Sequence, residues 1–222
     1  MDVFDDSNSI GDIAFRRIRS DIINGLLLPG AKLRLERLKS EYGVSVSTLR
    51  EILNRLTTED LVVAEGQRGF EVCSASEANL REIGDMRLLL ENRGLALSFT
   101  SGDLEWEGRV VAAYHKLSKT EEQLLTGNRE RTPEWIRYDW NFHQALVSAC
   151  GSHLLMTILG SIFDRFMRYH MLAHSFRGPA VASDHRELFE LAMARDTAAA
   201  QKKLEAHVNG GIEHILSTGK IT

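Results

Sequence analysis

The most constraining feature of this sequence is a succession of amphipathic segments that runs from residue 77 to residue 217. Each segment repeats apolar residues at the three- and four-residue spacing of an α-helix. Thr132-Pro133, Gly151 and Gly178-Pro179 fall at segment boundaries, and Asp196 is placed to cap the last helix. The predicted helices span roughly 77–101, 103–126, 133–150, 153–174, 180–195 and 197–217. Six helices with short connections indicate an antiparallel bundle.

The residues before this bundle are organised differently, beginning with three shorter helices. The first is predicted from a cap at Ser9 to Asn24, with an apolar stripe of Ile10, Ile13, Ile18 and Ile22. Pro29-Gly30 then forces a turn, and a second helix follows and stops at Gly43. Ser45 is predicted to cap a third helix, whose apolar face consists of Leu49, Ile52, Leu53 and Leu56.

A β-hairpin is predicted after the third helix. Two β-prone runs, 61–64 and 70–72, flank a glycine-bounded turn at 66–69. The small polar stretch that follows, Ser74-Ala75-Ser76, suits a domain junction. The chain is therefore predicted to be mainly α, with a winged helix-turn-helix at 8–74 followed by an all-α antiparallel bundle at 77–218.

Composition excludes several classes of protein. Of the 222 residues, 43% are hydrophobic and 26% are charged, as in an ordinary globular protein. No apolar run approaches the roughly 20 residues that cross a bilayer, and the acidic start, Met1 to Asp6, does not resemble a signal peptide. Cys73 and Cys150 lie far apart, which favours a reducing cytoplasm over a disulfide framework or a cysteine zinc site. We therefore expect a cytoplasmic protein with no membrane partner.

Charge is distributed unevenly along the chain. Residues 16–55 contain nine Lys or Arg and four Asp or Glu, a balance of +5, so a net charge of −4 leaves −9 for the remainder. A basic segment on an acidic body can bind phosphates while the body stays soluble.

The third helix has the pattern of a DNA-recognition helix. In a helix-turn-helix, the second helix braces the backbone and the exposed start of the third enters the major groove. Arg50 can present a bidentate fork to guanine or phosphate, and the hairpin tip can touch the backbone or minor groove. The predicted DNA-binding residues are Arg34, Arg37, Ser45, Ser47, Thr48, Arg50, Asn54, Arg68 and Gly69. The alternative is that three helices and a hairpin form only a packing module.

Four residues of the bundle point to a metal site. Asp139 and His143 share the apolar face of one helix, and His185 and His207 lie on the apolar stripes of two others. A buried carboxylate is costly when alone, and buried imidazoles need partners. One divalent ion satisfies all four groups, and bundle cores commonly build such sites from facing helices. Taken singly, each histidine reads as an ordinary core residue; their joint placement favours the metal.

The donor set narrows the choice of ion to one divalent metal per subunit. Three nitrogens and one carboxylate suit zinc first, with nickel, manganese or iron as alternatives. The other histidines are not assigned to the site: His115 and His153 are predicted at the surface, and His170, His174 and His214 have no spacing that links them to the ligands.

The N-terminal residues resemble the GntR family of bacterial regulators. The resemblance rests on Leu28-Pro29-Gly30-Ala31-Lys32-Leu33, on the run from Tyr42 to Leu56, and on Arg68-Gly69-Phe70-Glu71-Val72. Val46 departs from the pattern, since the family usually has a DNA-contacting arginine there, and Thr48 replaces a common proline. The resemblance therefore implies the docking mode more firmly than any operator sequence.

The bundle resembles the FCD domain, the helical effector domain of one large GntR branch. The similar stretches are Asp139-Trp140-Asn141-Phe142-His143, Asp184-His185-Arg186-Glu187-Leu188 and Glu205-Ala206-His207-Val208. In that family an aspartate and three histidines bind the metal, and all four match here. Arg87, four residues before Glu91 on an inward stripe, is either a partner of a buried carboxylate or the residue that binds the carboxylate of an effector.

Together these features predict a ligand-responsive transcription regulator rather than an enzyme. We expect a homodimeric repressor, associated with the bacterial nucleoid, that binds a palindromic double-stranded operator and senses a small organic or sugar acid at the metal and Arg87. Two alternatives remain. A metal-dependent hydrolase would use an open coordination position, although no general base like that of HExxH stands beside the ligands. A purely structural metal would bind tightly without any effect of ligand on DNA affinity.

Overall fold

The computed structural model describes residues 9–66, 69–174 and 176–221. The chain divides into two compact units, Met1–Ala75 and Ser76–Thr222. The first contains α1 (Ile10–Ile23), β1 (Lys32–Leu33), α2 (Leu35–Tyr42), α3 (Val46–Thr58), β2 (Val62–Ala64) and β3 (Phe70–Val72). The second contains α4 (Glu77–Ser101), α5 (Leu104–Leu125), α6 (Thr132–Val147), α7 (His153–Ala173), α8 (Pro179–Ala194) and α9 (Thr197–Ser217). This arrangement confirms the predicted fold class, a winged helix-turn-helix followed by a helical bundle.

Local sequence signals set the helix ends of the first unit. The Ser9 hydroxyl accepts a hydrogen bond from the backbone N–H of Asp12, and Ser45 accepts one from that of Thr48 at 3.1 Å. Gly43 ends α2 in the left-handed conformation, with φ at 69°. The core of this unit is built from Ile18, Ile22, Leu38, Leu49, Leu53 and Leu56, all buried.

One detail of the predicted α1 stripe is wrong. Ile18 and Ile22 are buried, whereas Ile10 and Ile13 are 71% and 52% exposed. The buried positions follow a four-residue step that passes through Ala14. Ile10 lies four residues before Ala14 on the same line, in the first turn of α1, where its side chain is exposed.

The predicted hairpin forms and gains a third strand that sequence analysis did not identify. β2 and β3 pair antiparallel with Val63 opposite Glu71, and β1 pairs with the other edge of β3. The turn at Gly30, with φ at 73°, brings β1 into position, and the Gly30 N–H donates to the Val72 carbonyl at 3.0 Å. A strand of two residues is too short for alternating polarity to reveal it.

The second unit is a bundle in which each of the six helices packs against at least two others. α4 contacts α9, α7 and α6, and α5 contacts α6 and α8. α4 and α7 run antiparallel, since Gly94 of α4 lies near Leu155, while Arg87 lies over the ring of Phe163. The interior at one end is fixed by Trp106, whose indole N–H donates to the Ala145 carbonyl at 3.0 Å. No helix among the described residues has the length and apolar character needed to cross a membrane.

Glycine permits a close helix contact in the bundle. A Cβ added to Gly94 would lie 2.8 Å from the Cβ and Cγ1 of Val147, at the end of α6. Real Cβ contacts are not this short, so the backbones of α4 and α6 approach here only because residue 94 has no side chain.

We expect Gly94→Ala to lower the free energy of unfolding by about 1–3 kcal/mol, because the added methyl overpacks the contact with Val147. The measurement is urea unfolding of the full chain. Gly108→Ala is the matched control, since Gly108 is exposed on α5 with nothing within 4 Å of the added Cβ. The control is expected to raise stability by up to about 1 kcal/mol, and equal effects of both changes would contradict the packing assignment.

Candidate metal centre and nucleic-acid interface

Three helices bring the four predicted metal ligands to one point inside the second unit. α6 supplies Asp139 and His143, α8 supplies His185, and α9 supplies His207. One ligand atom from each lies within 4.8 Å of the others. His143 and His185 have no exposed surface, and His207 and Asp139 are only 6% and 7% exposed. The four side chains therefore form a single buried cluster.

The chemistry of this cluster fits a divalent metal ion. The Nε2 atoms of His143 and His185 are both buried, and that of His143 has no hydrogen-bond partner among the described residues. They lie 3.8 and 2.8 Å from Oδ1 of Asp139, so two imidazole nitrogens and a carboxylate converge on one small volume. A buried polar atom without a partner is costly, and coordination of an ion removes that cost for the whole set. Three imidazoles with one carboxylate suit zinc, nickel, manganese or iron better than calcium or magnesium.

Each histidine of the cluster also faces a carboxylate through its other ring nitrogen. Nδ1 of His143 is 2.9 Å from Oε1 of Glu91, which is on α4. Nδ1 of His185 is 2.6 Å from Oε1 of Glu121, on α5. Such carboxylates hold the ring in one tautomer, with Nδ1 protonated and Nε2 free to bind a metal.

The third pairing is looser and is shared with an arginine. Nδ1 of His207 lies 3.5 Å from Oδ2 of Asp184, on α8. The same oxygen accepts a hydrogen bond of 2.6 Å from Nη2 of Arg177, which lies in the connection between α7 and α8. The interactions with His207 and Arg177 outweigh the effect of burial and lower the pKa of Asp184.

The electrostatics of the cluster favour ionised carboxylates. Burial alone would raise the pKa of Glu91, but the charge of Arg87 and the hydrogen bond with His143 lower it to about 2. Burial would likewise raise the pKa of Asp139, and the hydrogen bond from His185 with the neighbouring imidazoles lowers it well below its usual value. Burial dominates at His207, where it lowers the pKa to about 3, so this imidazole stays neutral.

Sequence analysis did not assign Glu121 to the site. Glu121 stands next to Glu122 and reads as part of an exposed charged run, yet Glu121 is 3% exposed. Helical spacing contains the missing signal, because residue 121 falls between the buried Leu117 and Leu124 on one stripe. A carboxylate on an apolar stripe needs a partner, and here the indole of Trp135 also donates to Oε1 of Glu121 at 3.2 Å.

The structure places Arg87 in a buried salt bridge, the first of the two roles that the sequence left open. Its Nε donates to Oε2 of Glu91 at 2.6 Å, which is the buried salt bridge. Its Nη2 is buried without a hydrogen-bond partner, and the guanidinium lies over the rings of Phe163 and Phe166. Because an arginine stays charged in the interior, the unpaired Nη2 marks a place for an acceptor.

A small cavity adjoins the cluster. Its wall includes Arg87, Asp139 and His207, together with Arg177, His170 and His214. The enclosed space leaves about 20 Å³ for the centre of a water molecule, which is room for about one water. His170 and His214, which sequence spacing did not link to the ligands, therefore belong to the surroundings of the metal cluster. His115 and His153 are exposed, as predicted.

The first unit presents the predicted DNA-binding residues on one side of α3 and at the ends of neighbouring elements. Ser47, Arg50 and Asn54 are exposed and follow each other at three- and four-residue steps on α3. Ser45 caps that helix and contacts the hydroxyls of Ser47 and Thr48 at 2.7 and 2.9 Å. Arg34 precedes α2, and Arg37 lies on α2 in a 3.6 Å ion pair with Glu41. Gly69 lies before β3, with φ at 97°. Arg68 lies outside the described residues.

Comparison with protein families gives two matches that together cover most of the chain. Residues 12–72 match the model of the bacterial regulatory proteins of the gntR family, and residues 82–210 match the FCD domain. The first match runs from within α1 to the end of β3, and the second contains the four clustered side chains.

Individual proteins match over almost the full length. The chain is 35% identical to the HTH-type transcriptional regulator BphR of Paraburkholderia xenovorans, over 95% of this chain and 87% of that protein. It is also 35% identical to the HTH-type transcriptional repressor GlaR of Escherichia coli, over 87% of this chain and 90% of that protein. Among solved structures, a transcriptional regulator GntR from Rhodococcus sp. RHA1 superposes with a TM-score of 0.77 at 24% identity, covering 94% of this chain and 98% of that one. The last likeness concerns the fold alone.

We expect Glu121→Gln to weaken zinc binding about 10- to 100-fold, because the neutral amide supports the His185 ring less well than a carboxylate. Competition with a chromophoric chelator measures the affinity. Glu122→Gln is the control, since its exposed carboxylate pairs with Lys119 at 2.8 Å and has no contact with the cluster. Identical affinities for the two variants would remove Glu121 from the centre.

Metal binding is expected to release about one proton per ion near pH 7.5. Burial alone would lower the pKa of His185 from its ordinary 6.5, but hydrogen bonds to Asp139 and Glu121 raise it to about 9. The metal-free protein therefore holds this imidazole protonated. The hydrogen bonds of the charged ring contribute fully to folding stability below pH 6.5, and this contribution is lost as the pH rises through 9. Metal affinity should accordingly rise with pH up to about 9. Calorimetry in buffers of different ionisation enthalpy counts the protons, and a count near zero would contradict this assignment.

Proposed function

Since the chain belongs to the GntR family of bacterial regulatory proteins and carries an FCD domain, it is a DNA-binding transcription regulator, and we propose that it represses genes until a small acid binds at a metal centre. The metal is one divalent ion per subunit, zinc first, held by Asp139, His143, His185 and His207. The acid is an organic or sugar acid. The protein acts on chromosomal DNA in the bacterial cytoplasm.

The observation that carries this proposal is the buried cluster of one carboxylate and three imidazoles. Four ligand atoms within 4.8 Å of one another, with Nε2 of His143 unpartnered among the described residues, have no role in packing alone. The adjoining cavity and the unpaired Nη2 of Arg87 supply a place for an anion beside the ion. A carboxylate fits both, because it can ligate a metal with one oxygen and accept from a guanidinium with the other.

The DNA-binding half supports recognition of a palindrome by a homodimer. The exposed face of α3 offers Ser47, Arg50 and Asn54 to the base edges of one major-groove half-site. Two such helices related by a twofold axis read half-sites about one helical turn apart. Ser45, Thr48, Arg34, Arg37 and the wing residues Arg68 and Gly69 serve as contacts to phosphates and the groove edge.

The outer face of α4 and α7 is our candidate for the dimer contact. Met86 and Leu89 on α4 and Leu154 and Ile158 on α7 are between 39% and 69% exposed. Helices with apolar residues on both faces normally pack on both. A second copy is the occupant that a palindromic operator requires, because two identical half-sites need two identical heads.

Effector binding is coupled to DNA through the helices that meet at the centre. α6, α8 and α9 supply ligands, while α4 and α5 supply the carboxylates behind them. An acid that enters between Arg87 and the ion therefore pushes on several helices at once. Allosteric coupling of this kind usually amounts to about 1–3 kcal/mol.

Arg50→Ala is expected to weaken binding to the operator about 5- to 150-fold, because a bidentate contact to guanine contributes about 1–3 kcal/mol of discrimination. The operator is first selected from random duplexes with the unaltered protein, and affinity is then measured by fluorescence anisotropy. Arg50→Lys is the informative companion, since it keeps the charge and loses the fork. It should bind unselected DNA normally and the operator weakly, whereas unchanged operator binding by Arg50→Ala would refute the recognition-helix assignment.

A zinc-loaded protein is expected to change its operator affinity about 5- to 150-fold when the correct acid is added. A thermal-shift screen of organic and sugar acids identifies the acid, and anisotropy measures the coupling. His185→Ala should lose the metal on elemental analysis, keep binding to the operator and lose the response. Tight metal binding with no effect of any acid would favour a structural metal, and metal-dependent turnover of esters, phosphates or amides would favour a hydrolase.

A further inference from the structure

The cavity beside the metal cluster has unsatisfied polar atoms at two separate places. One is Nη2 of Arg87, on α4. The other is Nε2 of His214, on α9; this nitrogen is buried and also has no hydrogen-bond partner in the described part of the chain. Both residues line the same cavity, together with the ligands Asp139 and His207.

Nη2 of Arg87 and Nε2 of His214 lie on different helices. His214 lies seven residues after His207 on α9, about two turns along the same face. Gly211 lies between them and lines the cavity, and it leaves the wall open because it has no side chain. A Cβ built there would meet only Nε2 of His170, at 3.9 Å. The wall of the cavity therefore includes the metal ligand His207, Gly211 and His214 along one face of α9.

The surroundings of His214 leave its imidazole available to a ligand. Burial, followed by the charge of Arg177, lowers the pKa of His214, so the ring is neutral at pH 7. Arg177 itself is held elsewhere, with Nη2 on Asp184 at 2.6 Å. A neutral imidazole nitrogen either donates to or accepts from an oxygen group.

We propose that His214 is a second recognition point for the effector, which is therefore a short acid with an oxygen group at each end. One carboxylate lies at the metal ligands and Nη2 of Arg87, and the distal group, a second carboxylate or a hydroxyl, hydrogen-bonds with Nε2 of His214. This rests on the proposed function and narrows its ligand class. Acids with a purely apolar tail leave the buried nitrogen of His214 unsatisfied and bind more weakly.

The test compares acids that differ only at the distal end. Butyrate, 4-hydroxybutyrate and succinate share a four-carbon chain, and matched sets of three, five and six carbons cover other lengths. Calorimetry measures their binding to the full-length, zinc-loaded protein and to His214→Leu and His214→Gln. His115→Leu is the control, because His115 is an exposed histidine of the same unit.

In at least one matched set, the acid with a distal oxygen group should bind about tenfold more tightly than the acid without it. His214→Leu should reduce this preference to within about twofold, His214→Gln should retain part of it, and His115→Leu should leave it unchanged. Zinc content and operator affinity show that each variant is folded.

Two results would overturn the assignment of His214 alone: equal affinities within every set, or a preference that survives in His214→Leu. Binding of no acid of any length to the zinc-loaded protein would instead overturn the proposed effector site, and the assignment of His214 with it.

Discussion

The helical unit depends on the meeting of one buried carboxylate, Asp139, with three imidazoles. Each imidazole is turned towards Asp139 by a carboxylate behind it, and those carboxylates come from α4, α5 and α8. The helices are therefore connected by polar contacts at one internal point as well as by apolar packing. Because a buried polar network is costly when incomplete, substitutions of these side chains are expected to destabilise the unit. The same contacts fix the positions of the helices that supply them.

Much of the fold and part of the site could be predicted from sequence because the signals are local. Caps such as Ser9, Ser45 and Asp196 lie where the helices begin. Asp139 and the three histidines stand out because polar residues on apolar stripes need a common explanation. β1 and the exposure of Ile10 were not predictable in this way, since the first is too short for a pattern and the second depends on where the core ends.

The residues that sequence analysis missed are those whose roles arise from three-dimensional proximity. Glu121 is concealed by its exposed neighbour Glu122, and only the burial of its stripe distinguishes the two. His170 lies on a different helix from every ligand, and the spacing of His214 from His207 alone does not reveal the cavity, whose wall is assembled from several helices. A cavity in a bundle is thus less visible in sequence than the cluster of four side chains beside it.

The tightness of the cavity has a consequence for timing. Space for about one water is too small for an organic acid, so the acid enters only while neighbouring side chains and helices are momentarily apart. In the proposed sensor, both association and release would be limited by the frequency of such openings. The response of such a sensor would follow the opening rate of the bundle rather than the diffusion of the acid.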